Sequence, residues 1–387
     1  MKKQLTRMIA YIAIAACFVT GIGGQIAYAS PSISTNAYAT ALIDVQSGRI
    51  LYSRNGDVAT RIASLTKIMT AIVAIENGNL SDKVKVSTRA AGKEGSSIYL
   101  RAGEEMTLSN LLYGLMLRSG NDAATAIAEH VGGSEAGFVF LMNQKASELG
   151  LEHTQFRNPH GLDEEGHYSS ANDLAILTAY ALKNKIFAEI VKTDHKKAPN
   201  PNEKWHYSWR NKNKMLRMYE GADGVKTGYT KKAFRCLVSS ATRNGQQLVA
   251  VTLNDGDDWR DHRNLLDWGF KHYPHSRLAE VEQAVSGSSL VYGANYNYPL
   301  EKDELDKVQA SVTLIDPSSP HYALGERGRM QFFLEGEPIG SVPLYEKGSM
   351  RLKLNKRAAT EESFNQFKQL EKREHSIFFK IVDWLQK

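Results

Sequence analysis

Cysteine is almost missing from this chain: Cys17 and Cys236 are the only two in 387 residues. Cys17 falls in an N-terminal leader, so Cys236 has no partner in the mature chain and no internal disulfide is expected. A reactive Cys236 would need a histidine and an electropositive setting. It lies instead in the apolar run Arg235-Cys-Leu-Val-Ser, where a packed core thiol is expected. Metal-ligand spacing is lacking too. His153, His160 and His167 recur every seven residues, whereas structural zinc wants tight Cys/His clusters on one element. No metal or cofactor is expected. Helix-turn-helix, zinc-finger and RNA-binding signatures are absent, so no nucleic-acid partner is expected either.

What is present is an ordinary globular composition, 42% hydrophobic and 23% charged, long enough for two domains. The net charge of +6 suits work beside anionic lipid or wall polymer. The first seven residues are basic, Met8 to Thr20 is almost wholly apolar, and Ala27-Tyr-Ala29 has the small-x-small form of a signal-peptide cleavage site. Residues 1–29 therefore read as a secretory leader and the protein as exported. An uncleaved membrane helix and lipoprotein processing at Cys17 are the competing readings.

The chain is organised around Thr60 to Gly78. Ile62, Leu65, Ile68, Met69, Ile72, Val73 and Ile75 recur at helical spacing, which predicts one nearly all-apolar, buried helix. Ser64 and Lys67 lie three apart near its start, on one face. A lysine in an apolar wall loses solvation and its pKa falls; a neutral amine beside a hydroxyl can take its proton and leave a nucleophile. Alone the pair is weak, because Ser-x-x-Lys arises by chance about twice in a chain this long, and a helix-start serine with a solvated lysine would look the same.

Before that helix, Tyr38 to Asp44 and Arg49 to Ser53 read as a hairpin around Gln46-Ser-Gly48. After it come a glycine-bearing loop, a helix from Met106 to Gly114, and the turn Ser119-Gly-Asn121 into a helix from Asp122 to Val131. Such a turn can present Ser119 and Asn121 inward, or Asn121 or Asp122 can simply cap the next helix. Helices follow at Gly137 to Leu149 and Ser169 to Leu182, then a surface loop over 191–208 with Pro199 and Pro201. Lys226-Thr-Gly228-Tyr229 leads to strands at Cys236 to Thr242 and Gln247 to Leu253, turning at Asn244-Gly245, and a helix from Asp257 to Tyr273. The expected class is α+β, an antiparallel sheet with helices packed on it, over 30–275. Residues 276–358 alternate in short β runs and predict a small all-β domain. Residues 359–387 form an amphipathic pattern, with Phe364, Phe367, Leu370, Ile377, Phe378 and Ile381 largely on one side. That pattern suits a helix lying in a membrane interface; docking on the β domain, or pairing with another helix, is the alternative.

Ser64-x-x-Lys67, Ser119-x-Asn121 and Lys226-Thr227-Gly228, in that order, resemble the motif triplet of penicillin-binding proteins and serine β-lactamases. Gly95-Ser-Ser-Ile-Tyr-Leu, Ser119-Gly-Asn-Asp-Ala-Ala, Phe156-Arg-Asn-Pro-His-Gly-Leu, Asn211-Lys-Asn-Lys-Met-Leu and Asp223-Gly-Val-Lys-Thr-Gly-Tyr-Thr are similar to one branch. That branch is the low-molecular-mass serine D-Ala-D-Ala carboxypeptidases of the S11 peptidase type, and within it the sporulation-type enzymes of spore-forming Gram-positive bacteria. The resemblance implies a penicillin-binding, β-lactamase-like transpeptidase fold followed by the β domain and the tail helix. It implies that Ser64 is the nucleophile and Lys67 its general base. Ser119 would relay a proton, and Asn121 would orient Lys67 and the substrate. Lys226, Thr227 and Gly228 would hold the substrate, with the backbone of Tyr229 in the oxyanion hole. It further implies peptidoglycan pentapeptide stems as substrate and β-lactam antibiotics as ligands. The protein would work at the outer face of the cytoplasmic membrane, in the wall, or in the forespore envelope. A DD-endopeptidase, a β-lactamase and a non-catalytic wall-binding module stay open beside it. One departure stands out: Phe234 occupies a position where many relatives carry glycine or another residue after the alanine.

Overall fold

The computed structural model describes residues 32–353. The expected leader, residues 1–29, and the amphipathic tail, 359–387, lie outside the described residues. The described residues from Thr35 on form one compact unit.

Five antiparallel strands form the central sheet: β1 (Ala39–Asp44), β2 (Ile50–Arg54), β3 (Ala222–Thr230), β4 (Phe234–Arg243) and β5 (Gln246–Leu253), in the order β2-β1-β5-β4-β3. Period-two alternation splits β1 between two apolar layers. Ala39, Ala41 and Ile43 join the large core with α1 (Lys67–Asn77), α2 (Asn121–Gly132), α3 (Glu135–Glu148), α4 (Ala171–Leu182) and α5 (Lys185–Lys192). Leu42 faces the other way, onto α6 (Asp258–His272), which approaches so closely at Gly269 that an added Cβ would lie 2.7 Å from Leu42 and Leu248 side chains. The expected α+β layering is therefore present, with helices on both faces of an antiparallel sheet.

Three local expectations are corrected. The apolar stretch from Thr60 is not one helix: Ala63–Thr66 is a 3-10 turn, entered through Ala63 at φ 47°, and the α-helix starts at Lys67. A 3-10 turn has three residues per turn, so positions i and i+3 eclipse; Ser64 and Lys67 still meet. Residues 191–208 are not a plain loop, because His195–Ala198 and Tyr207–Arg210 pair as an antiparallel hairpin. The alternation of buried Tyr207 and Trp209 with exposed Ser208 and Arg210 was the strand signal there, and the prolines sit in the connection. Likewise the run from Met106 opens as a short strand, Glu105–Thr107, before helix Leu108–Tyr113 and a wide π turn, Gly114–Arg118.

Beyond α6 come β6 (His275–Ala279), β7 (Leu290–Tyr292), β8 (Tyr296–Pro299), β9 (Val308–Leu314), β10 (Glu326–Leu334) and β11 (Glu337–Glu346). They make a two-stranded sheet β6-β8 and a four-stranded sheet β7-β11-β10-β9, around a separate cluster of Leu290, Met330, Phe332, Val342 and Leu344. Short helical segments at Leu305–Lys307, Pro320–Ala323 and 350–353 interrupt the β pattern. Arg49, just ahead of β2, ties this region to the main sheet. Its guanidinium donates two hydrogen bonds to Glu304, at 2.5 and 2.8 Å, and one to Pro299 O at 2.7 Å. It also stacks over Tyr273 and Tyr298. Beside it, Asp44 is fully buried. Burial opposes its charge, but hydrogen bonds from His275 and Ser47 outweigh that and hold its carboxyl below the usual range.

His262 on α6 is buried between Ser239 and Thr252, 2.7 and 3.0 Å away, and burial pushes its pKa down to about 3. His167 is pushed down to about 4, chiefly by burial. Both are neutral at pH 7. The unfolded chain takes up these protons below about pH 6.5 while the folded chain does not, so stability is full above that pH. It falls by about 1.4 kcal/mol per histidine per pH unit below it. The loss levels off near pH 4 for His167 and near pH 3 for His262. His262→Gln should flatten the decline between pH 6.5 and 4, measured by denaturant unfolding of both chains across that range.

Candidate active site

Ser64 sits on the 3-10 turn and Lys67 on the first residue of α1. The Lys67 side chain is wholly buried. Its Nζ lies 3.0 Å from Ser64 Oγ, 2.7 Å from Asn121 Oδ1 and 2.6 Å from the His160 carbonyl oxygen. The orientation of the Asn121 amide is fixed, because its Nδ2 donates to Glu94 O at 2.7 Å. Burial, then the charges of Lys226 and Lys212, hold the Lys67 amine well below the usual lysine range, against a smaller pull from Asp122. A neutral amine has two N–H donors and one lone pair. Asn121 Oδ1 and His160 O can only accept, so they take the two hydrogens. The lone pair is left for the hydroxyl of Ser64, the geometry general-base activation needs.

Two glycines permit this assembly. At Gly228 an added Cβ would lie 3.2 Å from both Ser64 N and Ile62 O, so a side chain there would push β3, the sheet's edge strand, a few tenths of an ångström off the 3-10 turn. Gly161, at φ 84°, passes so close to Ala63 that a Cβ would fall 2.0 Å from its carbonyl oxygen. Gly161 N donates to Asn158 Oδ1 at 2.8 Å, which shapes the turn that aims His160 O at Lys67.

Lys226 is buried on β3 and donates to Thr227 O at 2.6 Å. Burial and then the charge of Lys212 push its pKa down to about 7. Ser119 adopts the left-handed conformation, φ 65° and ψ 34°. Its buried Oγ has no hydrogen-bond partner among the described residues. A hydroxyl held that way costs about 1–3 kcal/mol, and such strain and unpaired polarity concentrate at working sites. Ser64, Ser119, Thr227, Gly228 and Tyr229 line one cleft of about 330 Å³, with Ser96, Lys212, Arg235, Asp258 and Trp259. The eight sequence-predicted residues thus converge. Neither Asn121 nor Asp122 acts as the helix cap, because Gly120 holds that position without a side-chain bond.

The family model of D-alanyl-D-alanine carboxypeptidase, peptidase S11, matches residues 25–257. The chain belongs to this family. It is 33% identical over 375 residues to D-alanyl-D-alanine carboxypeptidase DacF of Bacillus subtilis (strain 168), covering 91% of this chain and 95% of that one. Among solved structures it is similar to the D-alanyl-D-alanine carboxypeptidase DacD from Francisella tularensis. There the TM-score is 0.65 at 26% identity, over 83% of this chain and 95% of that one. Penicillin binding protein 5 from Haemophilus influenzae gives a TM-score of 0.67 at 28% identity, over 82% and 98%.

Several residues of the S11 site were not singled out by sequence. Lys212 enters the cleft and donates to Ser96 Oγ at 3.3 Å. Asp122 faces away from the reaction and gathers the loop that carries Ser96. Its carboxylate accepts from Ser97 Oγ at 2.6 Å, from Ile98 N at 3.0 and 3.1 Å, and from Leu100 N at 3.1 Å. Thr66, next to the base, is fixed by His167 Nε2 at 2.8 Å, whose Nδ1 accepts from Arg157 N. The only sequence signal for these was the likeness of whole phrases, not any chemistry of the residues. Cys236 is the packed thiol expected: it is buried, and burial pushes its pKa up to about 12. Phe234 is 53% exposed and has φ 56°, a left-handed conformation that favours glycine.

Asp122→Ala should strand three buried donors and cost about 3 kcal/mol of stability. Loosening the Ser96 loop and Asn121 should slow acylation by penicillin about a hundredfold. Thermal unfolding and stopped-flow acylation measure the two effects separately.

Proposed function

We propose that Ser64 attacks the carbonyl of the penultimate D-alanine of a peptidoglycan stem peptide, making this S11 enzyme a serine-type D-Ala-D-Ala carboxypeptidase that works through an acyl-enzyme. Lys67 takes the Ser64 proton. The backbone amides of Ser64 and Tyr229 stabilise the oxyanion, a preorganised arrangement acting on charge that develops only in the transition state. Ser119, whose hydroxyl is otherwise unpaired, passes a proton to the departing D-alanine. Asn121 orients Lys67 and the peptide amide. Lys226 and Thr227 hold the terminal carboxylate, which restricts cleavage to a free chain end, and water then releases the shortened stem. The observation that carries this reading is the buried amine of Lys67 with two carbonyl acceptors and one hydroxyl around it.

The acids at 163–165 do not support a β-lactamase. Glu164 is bonded to Asn158 and Asp163 to Thr230, and none of the three touches Ser64 or Lys67 in a hydrogen bond. A DD-endopeptidase uses the same groups, and only the space beyond Lys226 separates it. The division into a catalytic part, 30–275, and a small β part, 276–358, rests on the sequence pattern; among the described residues a large apolar cluster lies within the first and smaller ones lie beyond Pro274. The leader 1–29 would export the chain to the wall side of the cytoplasmic membrane. The tail 359–387 would hold it at that surface; among the described residues no helix is long and apolar enough to cross a membrane. Placement in the forespore envelope rests on the sequence resemblance alone.

Incubation with diacetyl-Lys-D-Ala-D-Ala should release one D-alanine per peptide, and Ser64→Ala should abolish both this and the penicilloyl mass adduct. A persistent adduct on that variant would remove Ser64 from its role. Loss of cross-linked dimers from muropeptides, in place of terminal D-alanine, would make the enzyme an endopeptidase. Truncation from Thr360 should abolish most sedimentation with vesicles and leave peptide hydrolysis unchanged; equal sedimentation of both forms would refute the anchor.

A further inference from the structure

The β region ends in a tip that the catalytic reading does not use. Three large apolar side chains are exposed there: Leu314 at 70%, Leu324 at 58% and Met350 at 73%. They come from different parts of the sequence, and the structure brings them to one end. Leu314 closes β9 opposite Gly328, and Ile315 N bonds Arg327 O. Arg327 in turn donates to Tyr322 O and stacks over its ring, two residues from Leu324. Arg351 Nε donates to Leu324 O at 3.0 Å, which puts Met350 beside it.

β9 is the edge of its sheet and bears no charged residue. Its apolar residues Ala310 and Val312 pair with the buried Phe332 and Met330, but Val312 and Leu314 stay exposed. Apolar residues clustered this way mark an interaction surface.

The charges around the tip indicate its partner. Arg327 is paired with Glu346 and Arg329 with Glu326. Among the described residues Lys347, Arg351 and Lys353 have no ion pair, against a single acid, Asp316, bonded to Ser318. The sequence continues the basic run with Lys356 and Arg357, directly ahead of the amphipathic stretch from Thr360. We infer that the Leu314–Leu324–Met350 tip is a second membrane contact, inserting its apolar side chains among anionic lipid headgroups while Lys347, Arg351 and Lys353 meet their phosphates. Apolar insertion plus several basic residues near the surface is the combination that gives stable peripheral binding. The inference goes beyond the tail anchor and does not need the tail to be helical. It fixes which end of the β region faces the lipid.

The test uses the processed chain, residues 30–387, with Met350→Cys carrying a solvatochromic dye; Cys236 is buried and stays unlabelled. Added vesicles of phosphatidylcholine and phosphatidylglycerol should shift the emission to the blue, and brominated lipid should quench it. Pure phosphatidylcholine should give a weaker response, as should high salt. Leu314→Asp with Leu324→Asp should lower the partition coefficient about tenfold while hydrolysis of the D-Ala-D-Ala peptide is kept, which also reports that the variant is folded. Sedimentation with vesicles but without quenching would overturn the tip contact and leave the tail anchor standing. Neither sedimentation nor quenching would overturn both. Emission already blue without lipid, and unchanged by it, would mean that the chain's own tail covers the tip, and the inference would fall.

Discussion

One buried amine sets the terms for the rest of the molecule. Lys67 has no solvent around it, and its three neighbours are two carbonyl-type oxygens and a hydroxyl. A protonated lysine could donate to all three but would carry a charge in a low-dielectric core beside two other lysines. A neutral one fits the same three contacts with its lone pair on Ser64. Each contact arrives on a different element: the 3-10 turn, the start of α2 and the 158–162 turn. The surrounding core thus has to hold three independent segments to within a few tenths of an ångström.

That requirement accounts for much of the polar structure around the site. Asp122 gathers the 97–100 loop, Asn158 shapes the turn behind His160, and Thr66 is locked between Ala63 O and His167. None of these touches a place where substrate can bind. They act by fixing backbone, which is how a site gains precision from residues that do no chemistry. Keeping His167 neutral matters in the same way, since a charged imidazole there would add a third cation, after Lys226 and Lys212, to the neighbourhood of Lys67. The glycines at 161 and 228 do the complementary work by omission, letting backbone pass where any side chain would separate the segments.

The sheet, its helices and the eight motif residues were legible in the sequence because each rests on a local signal: period-two strands, helical apolar spacing, and three short motifs in order. The 3-10 break at Ala63 was not, since a 3-10 turn and an α-helix share the same apolar spacing over four residues. The hairpin at 195–210 was hidden by its prolines and charges, although Tyr207 and Trp209 alternate as a strand should. Lys212, Asp122 and His160 O were invisible for a different reason. Their roles depend on loops folding over one another across long sequence separations, and a backbone carbonyl leaves no mark on a sequence at all.

The lysines of the cleft act unequally, and the order matters for catalysis. Burial is the first cause of depression at both Lys67 and Lys226, ahead of any charge. Under the proposed assignment, a substrate carboxylate arriving at Lys226 would favour its protonated form and cancel its charge, so the field of Lys226 on Lys67 would weaken when the peptide binds. If that field were the main reason Lys67 is neutral, binding would return the base to its charged, inactive form. Because burial is the larger cause, and a bound peptide displaces water instead of adding it, the proposed mechanism would keep Lys67 neutral when the hydroxyl must be activated. In that mechanism the same substrate group would be gripped by one lysine without disarming the other.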